Sequence, residues 1–289
     1  MKVGFIGLGV MGAPMAGHLL RAGHDLALWA RRPESAADLV AAGASLCATP
    51  AELGRRSEVV FTMVTAGPDV EGLVLGPQGL EAGLAPGAVL VDCSTIAPDT
   101  ARRLAERLAG RGVAFLDAPV SGGVQGAIDA SLAIMAGGEA EALERVRPLL
   151  ACLGRRIVHV GPSGAGQVAK VCNQIIMVAA IEAAAEALHL AAAAGTDPAR
   201  VRQALAGGSA GSRVLDVMGE RMVRRDFAAG IEARLHHKDF GIALEAARRA
   251  GVPMPLAAAV GQQLNALMAQ GWGRDDTASL LRVLECGRA

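Results

Sequence analysis

Three stretches carry residues whose types and spacing suit chemistry. In the first, Lys170, Asn173 and Gln174 stand at i, i+3 and i+4, which is one helical face, and Met177 and Ile181 continue that face as apolar positions. A lysine and two amides above an apolar stripe suit a site at the near end of a buried helix. A lysine snorkelling beside polar capping residues would show the same pattern. The second stretch is Asp117-Ala118-Pro119-Val120-Ser121-Gly122-Gly123. Successive backbone N–H groups around Ser121, Gly122 and Gly123 would form an anion nest with the serine hydroxyl as an extra donor, which suits a carboxylate. A plain glycine-rich turn would carry the same residues. The third is Gly7-Leu8-Gly9-Val10-Met11-Gly12, a G-x-G-x-x-G. There Gly7 allows a tight turn, Gly9 lets backbone approach a pyrophosphate, and Gly12 permits close helix–strand packing. The helix that follows would offer its positive N-terminus to phosphates.

Each stretch needs elements to place it. Val3 to Ile6 reads as a strand before the glycine loop and the pattern to about Leu20 as a helix after it, the context such a loop requires. Asp25 to Trp29 reads as the next strand. Dinucleotide folds that select NAD place an acid there, roughly twenty residues past the loop, against the ribose 2′-hydroxyl. This chain has Ala30-Arg31-Arg32 instead. Two guanidinium groups suit a 2′-phosphate, so NADP is the expected cofactor, with NAD also possible. Ordinary solvated loop arginines would read identically. The alternation continues with Thr49-Pro50-Ala51-Glu52, which has capping-box spacing and Pro at the first helical position. A strand over Glu58 to Val64 runs into Val64-Thr65, and one over Ala88 to Val91 runs into Asp92-Cys93-Ser94-Thr95. Ligands of open α/β sheets gather at the carboxyl ends of strands, so both loops are candidate cofactor contacts. Any turn between strand and helix carries such small polar residues, however. Val113 to Leu116, Ser131 to Met135 and Arg156 to Val160 read as further strands, with a helix from about Glu139 to Leu153.

After Gly161 the strand signals stop. Gly161, Gly164 and Gly166 open roughly thirty residues of helix formers, closed by Gly195. Asp197-Pro198 starts another helix as N-cap and first residue, and Gly207 to Ser212 breaks it. Helical patterns then run to about Arg224, from His236 to Gly251, from Leu256 to Ala269 and from Thr277 to Glu285.

Composition narrows the function classes. With 289 residues the chain has room for two domains or one large one. Lys plus Arg and Asp plus Glu are 28 each, so no basic footprint points to nucleic acid and no polybasic run to a membrane surface. Five Phe, two Trp and no Tyr leave no platform for stacking bases and imply an aliphatic core rich in Ala and Gly. The five cysteines lack C-x-x-C spacing, which argues against a disulfide framework or zinc site and fits a reducing cytoplasm. His236 and His237 are adjacent and diverge on a helix, so no metal is expected there. The opening Met1-Lys2-Val3-Gly4 runs into a strand pattern without a signal-peptide layout. Residues 175–194 are apolar enough to mimic a membrane span, but Glu182, Glu186 and His189 interrupt them, so a buried bundle helix is expected.

Four ordered motifs together resemble the β-hydroxyacid dehydrogenases, the family that holds 3-hydroxyisobutyrate dehydrogenase and tartronate semialdehyde reductase. They are Gly7-Leu8-Gly9-x-Met11-Gly12-x-x-Met15-Ala16, the Asp117 to Gly123 run, Gly164-x-Gly166-x-x-x-Lys170-x-x-Asn173, and Lys238-Asp239. The resemblance covers essentially the whole chain. It implies an α/β fold with a Rossmann-type doubly wound N-terminal domain, here residues 1–161. An all-α, oligomerising domain over 162–289 would follow, joined by a long helix. It implies that Lys170 is the catalytic acid/base, that Ser121, Gly122 and Gly123 hold a substrate carboxylate, and that Thr95 and Lys238 contact the nicotinamide cofactor. Many members have Asn four residues after the lysine and Pro at the position of Thr65, where this chain has Gln174 and Thr65. The K-x-x-N-Q version, Arg202-Gln203-Ala204-Leu205, Gly219-Glu220-Arg221-Met222 and Asp275-Asp276-x-Ala278-Ser279-Leu280 are similar to the tartronate semialdehyde reductase branch.

The expectation is therefore a cytoplasmic, homo-oligomeric reductase of a small aldehyde acid. Lys170 would act on the substrate oxygen, with its pKa lowered by burial, and Asn173 and Gln174 would orient the substrate or the lysine. Rival substrates are 3-hydroxyisobutyrate and succinic or glyoxylic semialdehyde. The rival from another class is a dinucleotide-binding sensor without catalysis.

Overall fold

The apolar runs of the first half assemble into one nine-stranded sheet in the computed structural model, which describes residues 1–286. The strands are β1 Lys2–Ile6, β2 Asp25–Trp29, β3 Ser45–Leu46, β4 Val59–Thr62, β5 Val89–Asp92, β6 Ala114–Asp117, β7 Val120–Ser121, β8 Leu132–Gly137 and β9 Gly154–Gly161. Their order is β3-β2-β1-β4-β5-β6-β8-β7, with β9 also on β8. The first six are parallel in the order 3-2-1-4-5-6, the doubly wound dinucleotide arrangement. All residues of β4 and β5 are buried, as central parallel strands covered on both faces require.

Alternation along the strands feeds two apolar layers. Phe5, Leu28, Phe61 and Val91 pack with Met15 and Leu19 of helix Gly12–Arg21 and with Leu143 and Val146 of helix Ala140–Ala151. Ile6, Val60, Leu90 and Phe115 pack on the other face with Leu104 and Leu108 of helix Pro98–Ala109. The strand expected over Ser131 to Met135 lies two residues later at its far end and runs antiparallel to both β6 and β7. Strand direction depends on the connecting path, which alternation does not encode. The two-residue β3 and the short helix Ala37–Ala41 are too brief to leave a periodic signal.

Packing divides the chain at Lys170/Val171, inside the long helix Ala165–Ala193. That helix closes at Gly195, with the Thr196 N–H donating to Ala191 O at 2.9 Å as in a Schellman ending. The second unit is helical around its own cluster, which includes Val178, Ile181, Ala185, Leu188, Phe240, Leu264 and Leu281. Asp197 caps helix Pro198–Ala206 by accepting from the Ala199 N–H at 2.9 Å. Two expected helices contain irregular turns: Leu215–Gly219 is a π-helical turn, and the last begins as a 3₁₀ turn, Thr277–Ser279. His236 bonds Thr277 and His237 bonds Asn265. The long helix is not buried all round as expected, because Ile176 and Leu190 are 73% and 69% exposed. It is also long and apolar enough to cross a membrane by length and composition, while its other face lies in the second unit's core.

Candidate active site

Strand register lines up the ends of the parallel strands. Trp29 pairs with Ile6, Ile6 with Thr62, Thr62 with Asp92, and Asp92 with Asp117. The loops holding Gly7 to Gly12, Arg31 and Arg32, Val64 and Thr65, and Ser94 and Thr95 therefore leave one row, as does the chain leading to Ser121. At Gly7, φ is +99°, and a Cβ would lie 2.2 Å from the Met63 carbonyl oxygen. A Cβ on Gly12 would lie 1.8 Å from the Gly7 oxygen, whereas one on Gly9 would meet nothing within 4 Å. Leu8 is buried beneath the turn, Met11 is half-buried and Val10 is exposed. A turn tight below and open above, at the start of helix Gly12–Arg21, fits the pyrophosphate of a dinucleotide. Arg31 and Arg32 are exposed just past β2.

Beneath these loops lies a buried polar network. The Thr62 hydroxyl donates to Asp92 Oδ1 at 2.8 Å, and the Ser94 N–H donates to the same oxygen at 3.1 Å. Ser94 Oγ accepts from the Val64 N–H at 2.9 Å, which ties the two cofactor loops together. Asp92 Oδ2 has no hydrogen-bond partner among the described residues. Burial pushes the Asp92 carboxyl up to about 6, against the opposing bonds from Ser94 and Thr62 and with a further push from the Asp117 charge.

Asp117, at the end of β6, caps the long helix. Its Oδ1 accepts from the Gly164 N–H at 2.7 Å and its Oδ2 from the Gln167 N–H at 2.8 Å. Hydrogen bonds to a charged group contribute roughly 1.5–3 kcal/mol each, and here they meet the positive end of the helix dipole. Burial raises the Asp117 pKa, and these backbone donors pull it back only in part. The approach demands glycine on both sides. A Cβ on Gly166 would lie 2.4 Å from the oxygens of Asp117 and Met135, and one on Gly137 would lie 2.6 Å from Gly166 N. Gly166 thus seats the helix that carries Lys170, and its role is packing on strand ends.

One turn into that helix, the buried amide of Gln167 donates to Ser94 O at 2.8 Å and accepts from the Ile96 N–H at 3.1 Å. Lys170 follows on the same face and is itself buried. Ser121 ends β7 beside Ala133 of β8. Gly122 and Gly123 then turn at φ +143° and +64° into the short helix Gly123–Ile128.

In the second unit, Asn173, Gln174, Asp239 and Lys238 form a chain. Gln174 Nε2 donates to Asp239 Oδ2 at 2.6 Å, Asn173 Nδ2 donates to Gln174 Oε1 at 2.8 Å, and Lys238 Nζ lies 2.9 Å from Asp239 Oδ1. Polarity orients both amides. A carboxylate only accepts, so Gln174 presents its NH₂ to Asp239 and its oxygen to Asn173. Asn173 then donates to Gln174, which leaves its own Oδ1 as an acceptor for another group. Both ends of the Gln174 amide are engaged within the chain, and the residue is buried.

Sequence reasoning did not assign roles to Asp117, Gln167 or Asp239, and gave Asp92 and Ser94 only as members of a candidate cofactor loop. Gln167 stands three residues before Lys170, a spacing that puts it on the lysine's face and was open to reading. Its partners Ser94 and Ile96 are 73 and 71 residues away, and no local pattern connects such positions.

Residues 2–161 match a family model described as the NAD binding domain of 6-phosphogluconate dehydrogenase. Residues 164–284 match one described as NAD-binding of NADP-dependent 3-hydroxyisobutyrate dehydrogenase. The chain is 44% identical over 285 residues to 2-hydroxy-3-oxopropionate reductase of Escherichia coli, covering 99% of this chain and 97% of that protein. It is 40% identical over 291 aligned positions to NAD-dependent L-serine dehydrogenase of Pseudomonas aeruginosa, covering 98% of each. Among solved structures, 3-hydroxyisobutyrate dehydrogenase of Mycobacterium tuberculosis with L-serine superposes with a TM-score of 0.88 at 32% identity, covering 99% of both chains.

Proposed function

The chain belongs to the β-hydroxyacid dehydrogenase family, enzymes that act on CH–OH groups with a nicotinamide cofactor, and on that premise we propose that it reduces tartronate semialdehyde to glycerate and prefers NADPH. The open Gly9 turn and the row of strand ends fit the cofactor. In this reading Gly7 to Gly12, Val64, Thr65, Thr95 and Lys238 hold it, with Arg31 and Arg32 against a 2′-phosphate. When bound, the cofactor supplies the hydride. Ser121, Gly122 and Gly123 hold the substrate carboxylate. Lys170 Nζ donates a proton to the carbonyl oxygen and takes the hydroxyl proton in the reverse direction. Gln174, bonded at both ends, positions Asn173.

The observation that carries the substrate assignment is the acceptor Asn173 Oδ1, which the amide chain running from Asp239 leaves unengaged among the described residues. An acceptor has a partner in the 2-hydroxyl of tartronate semialdehyde and none in the methyl of methylmalonate semialdehyde. A site built to bond a hydroxyl rejects the analogue lacking it by roughly 10⁴-fold. The same acceptor also serves the ammonium of L-serine, and a relative at 40% identity is named for that substrate. Measured under one set of conditions, kcat/KM for glycerate is expected to exceed that for L-serine and to far exceed that for 3-hydroxyisobutyrate. A preference for L-serine would replace the substrate while keeping the acceptor argument, and a preference for 3-hydroxyisobutyrate would remove both. A homo-oligomer is part of the proposal, supported by the exposed apolar residues Ile176, Leu190 and Leu256 of the second unit. So is a cytoplasmic location, supported by cysteines without a disulfide pattern.

A further inference from the structure

Gln167 has no solvent exposure, and both ends of its amide are used on a segment more than seventy residues away. The two backbone groups it satisfies, Ser94 O and Ile96 N–H, flank Thr95. They lie past the end of β5, where no neighbouring strand supplies a ladder partner, so without this side chain both would be buried and unpaired. Ser94 in turn holds the Val64 N–H through its hydroxyl oxygen and Asp92 through its own N–H. One buried amide therefore ties both loops at the ends of β4 and β5 to a helix whose next turn carries Lys170. The start of the helix is held on the sheet, because Asp117 caps it and Gly166 is wedged against the Asp117 and Met135 carbonyls.

We propose that Gln167 is a positioning residue, which fixes Thr95 and the Val64–Thr65 turn relative to Lys170 so that cofactor grip and proton donation share one geometric reference. The proposal rests on the reading of Thr95 as a cofactor contact and Lys170 as the proton donor. Glutamine alone has the required chemistry at this length. Glutamate can accept from the Ile96 N–H but cannot donate to Ser94 O when ionised, and methionine does neither while keeping the shape.

The test uses the full-length protein carrying Gln167→Met, Gln167→Glu or Thr95→Val. NADPH affinity is measured by fluorescence titration without substrate, and steady-state constants are measured with the hydroxy acid the unaltered enzyme turns over best. Loss of two buried hydrogen bonds predicts that Gln167→Met raises the NADPH Kd by about tenfold and lowers kcat by a similar factor. The KM for the hydroxy acid should stay within about threefold, since the carboxylate turn is held by other elements. Deuterium exchange at the Ile96 amide should accelerate in the same variant. A purely structural role would lower the melting temperature and leave the Kd of the folded protein unchanged. If Gln167→Met does not fold, Gln167→Glu carries the test, titrated at increasing pH until its buried carboxyl ionises, with a rise in Kd of about three- to tenfold expected from the lost Ser94 bond. Thr95→Val weakening NADPH while the Gln167 variants keep Kd within twofold would overturn the proposal alone. Unchanged Kd in all three would overturn both the proposal and the assignment of Thr95.

Discussion

At the scale of the residue, the site depends on which groups are left with something to offer after the chain has satisfied itself. Gln174 has both amide ends committed, to Asp239 and to Asn173, whereas Asn173 keeps one oxygen. Lys170 is buried on the helix that Asp117 caps. Lys170→Met keeps the length and apolar fit of the side chain and removes the proton. A general acid or base contributes roughly 10²–10⁴-fold, so kcat should fall by about that factor while NADPH titrations stay near those of the unaltered enzyme. Retention of more than half the activity would take the acid/base role away from Lys170.

At the scale of the element, the carboxyl ends of β1, β2, β4, β5 and β6 form one row, and each end is specialised by the residues just past it. β1 ends in a turn with no room for a Cβ at Gly7 or Gly12, and β6 ends in a carboxylate that receives a helix. β2 ends in two exposed arginines where an NAD-selective relative would carry an acid. Arg31→Asp places a carboxylate where a 2′-phosphate would lie. It should raise the KM for NADPH by about tenfold or more and change the KM for NADH little, because repulsion acts only on the doubly charged group. Equal KM values for the two cofactors in the unaltered enzyme would sink the assignment.

At the scale of the whole molecule, stability against pH is shaped by carboxyls that folding buries. Glu182 is 4% exposed, and neither of its oxygens has a hydrogen-bond partner among the described residues. Burial, then the charge of Glu186, pushes its pKa up to about 7. The folded state therefore binds the Glu182 proton more tightly than the unfolded chain. Its contribution is favourable below the ordinary glutamate range near 4.5 and is lost as pH rises towards 7. Glu182→Gln removes the titration. The variant should match the parent near pH 4.5 and exceed it by roughly 1–3 kcal/mol at pH 8, the cost of an unpaired buried polar group. Parallel melting curves from pH 4.5 to 8 check this, and a gap that narrows with rising pH would contradict it. Asp92 shifts in the same sense, up to about 6, but is present in both proteins and cancels from the difference.

The sequence by itself determined what local chemistry can specify. The glycine spacing from Gly7 to Gly12, the glycine stop at Gly195 and the cap at Asp197 each act within a turn or two of chain, so residue type and spacing suffice to read them. The helical face of Lys170, Asn173 and Gln174 belongs with these, because 3.6-residue periodicity is local. Tertiary structure alone decided how those pieces are held. Asp117 meets the long helix across 47 and 50 residues, Gln167 meets the Thr95 loop across more than seventy, and Asp239 meets Gln174 across 65. It also decided that Gly166 is a contact with strand-end carbonyls, that β8 runs antiparallel to β6, and that one face of the long helix is exposed. The physical reason is common to all of these. A hydrogen bond between distant segments depends on which strands become neighbours and where each ends, and that follows from packing the whole chain.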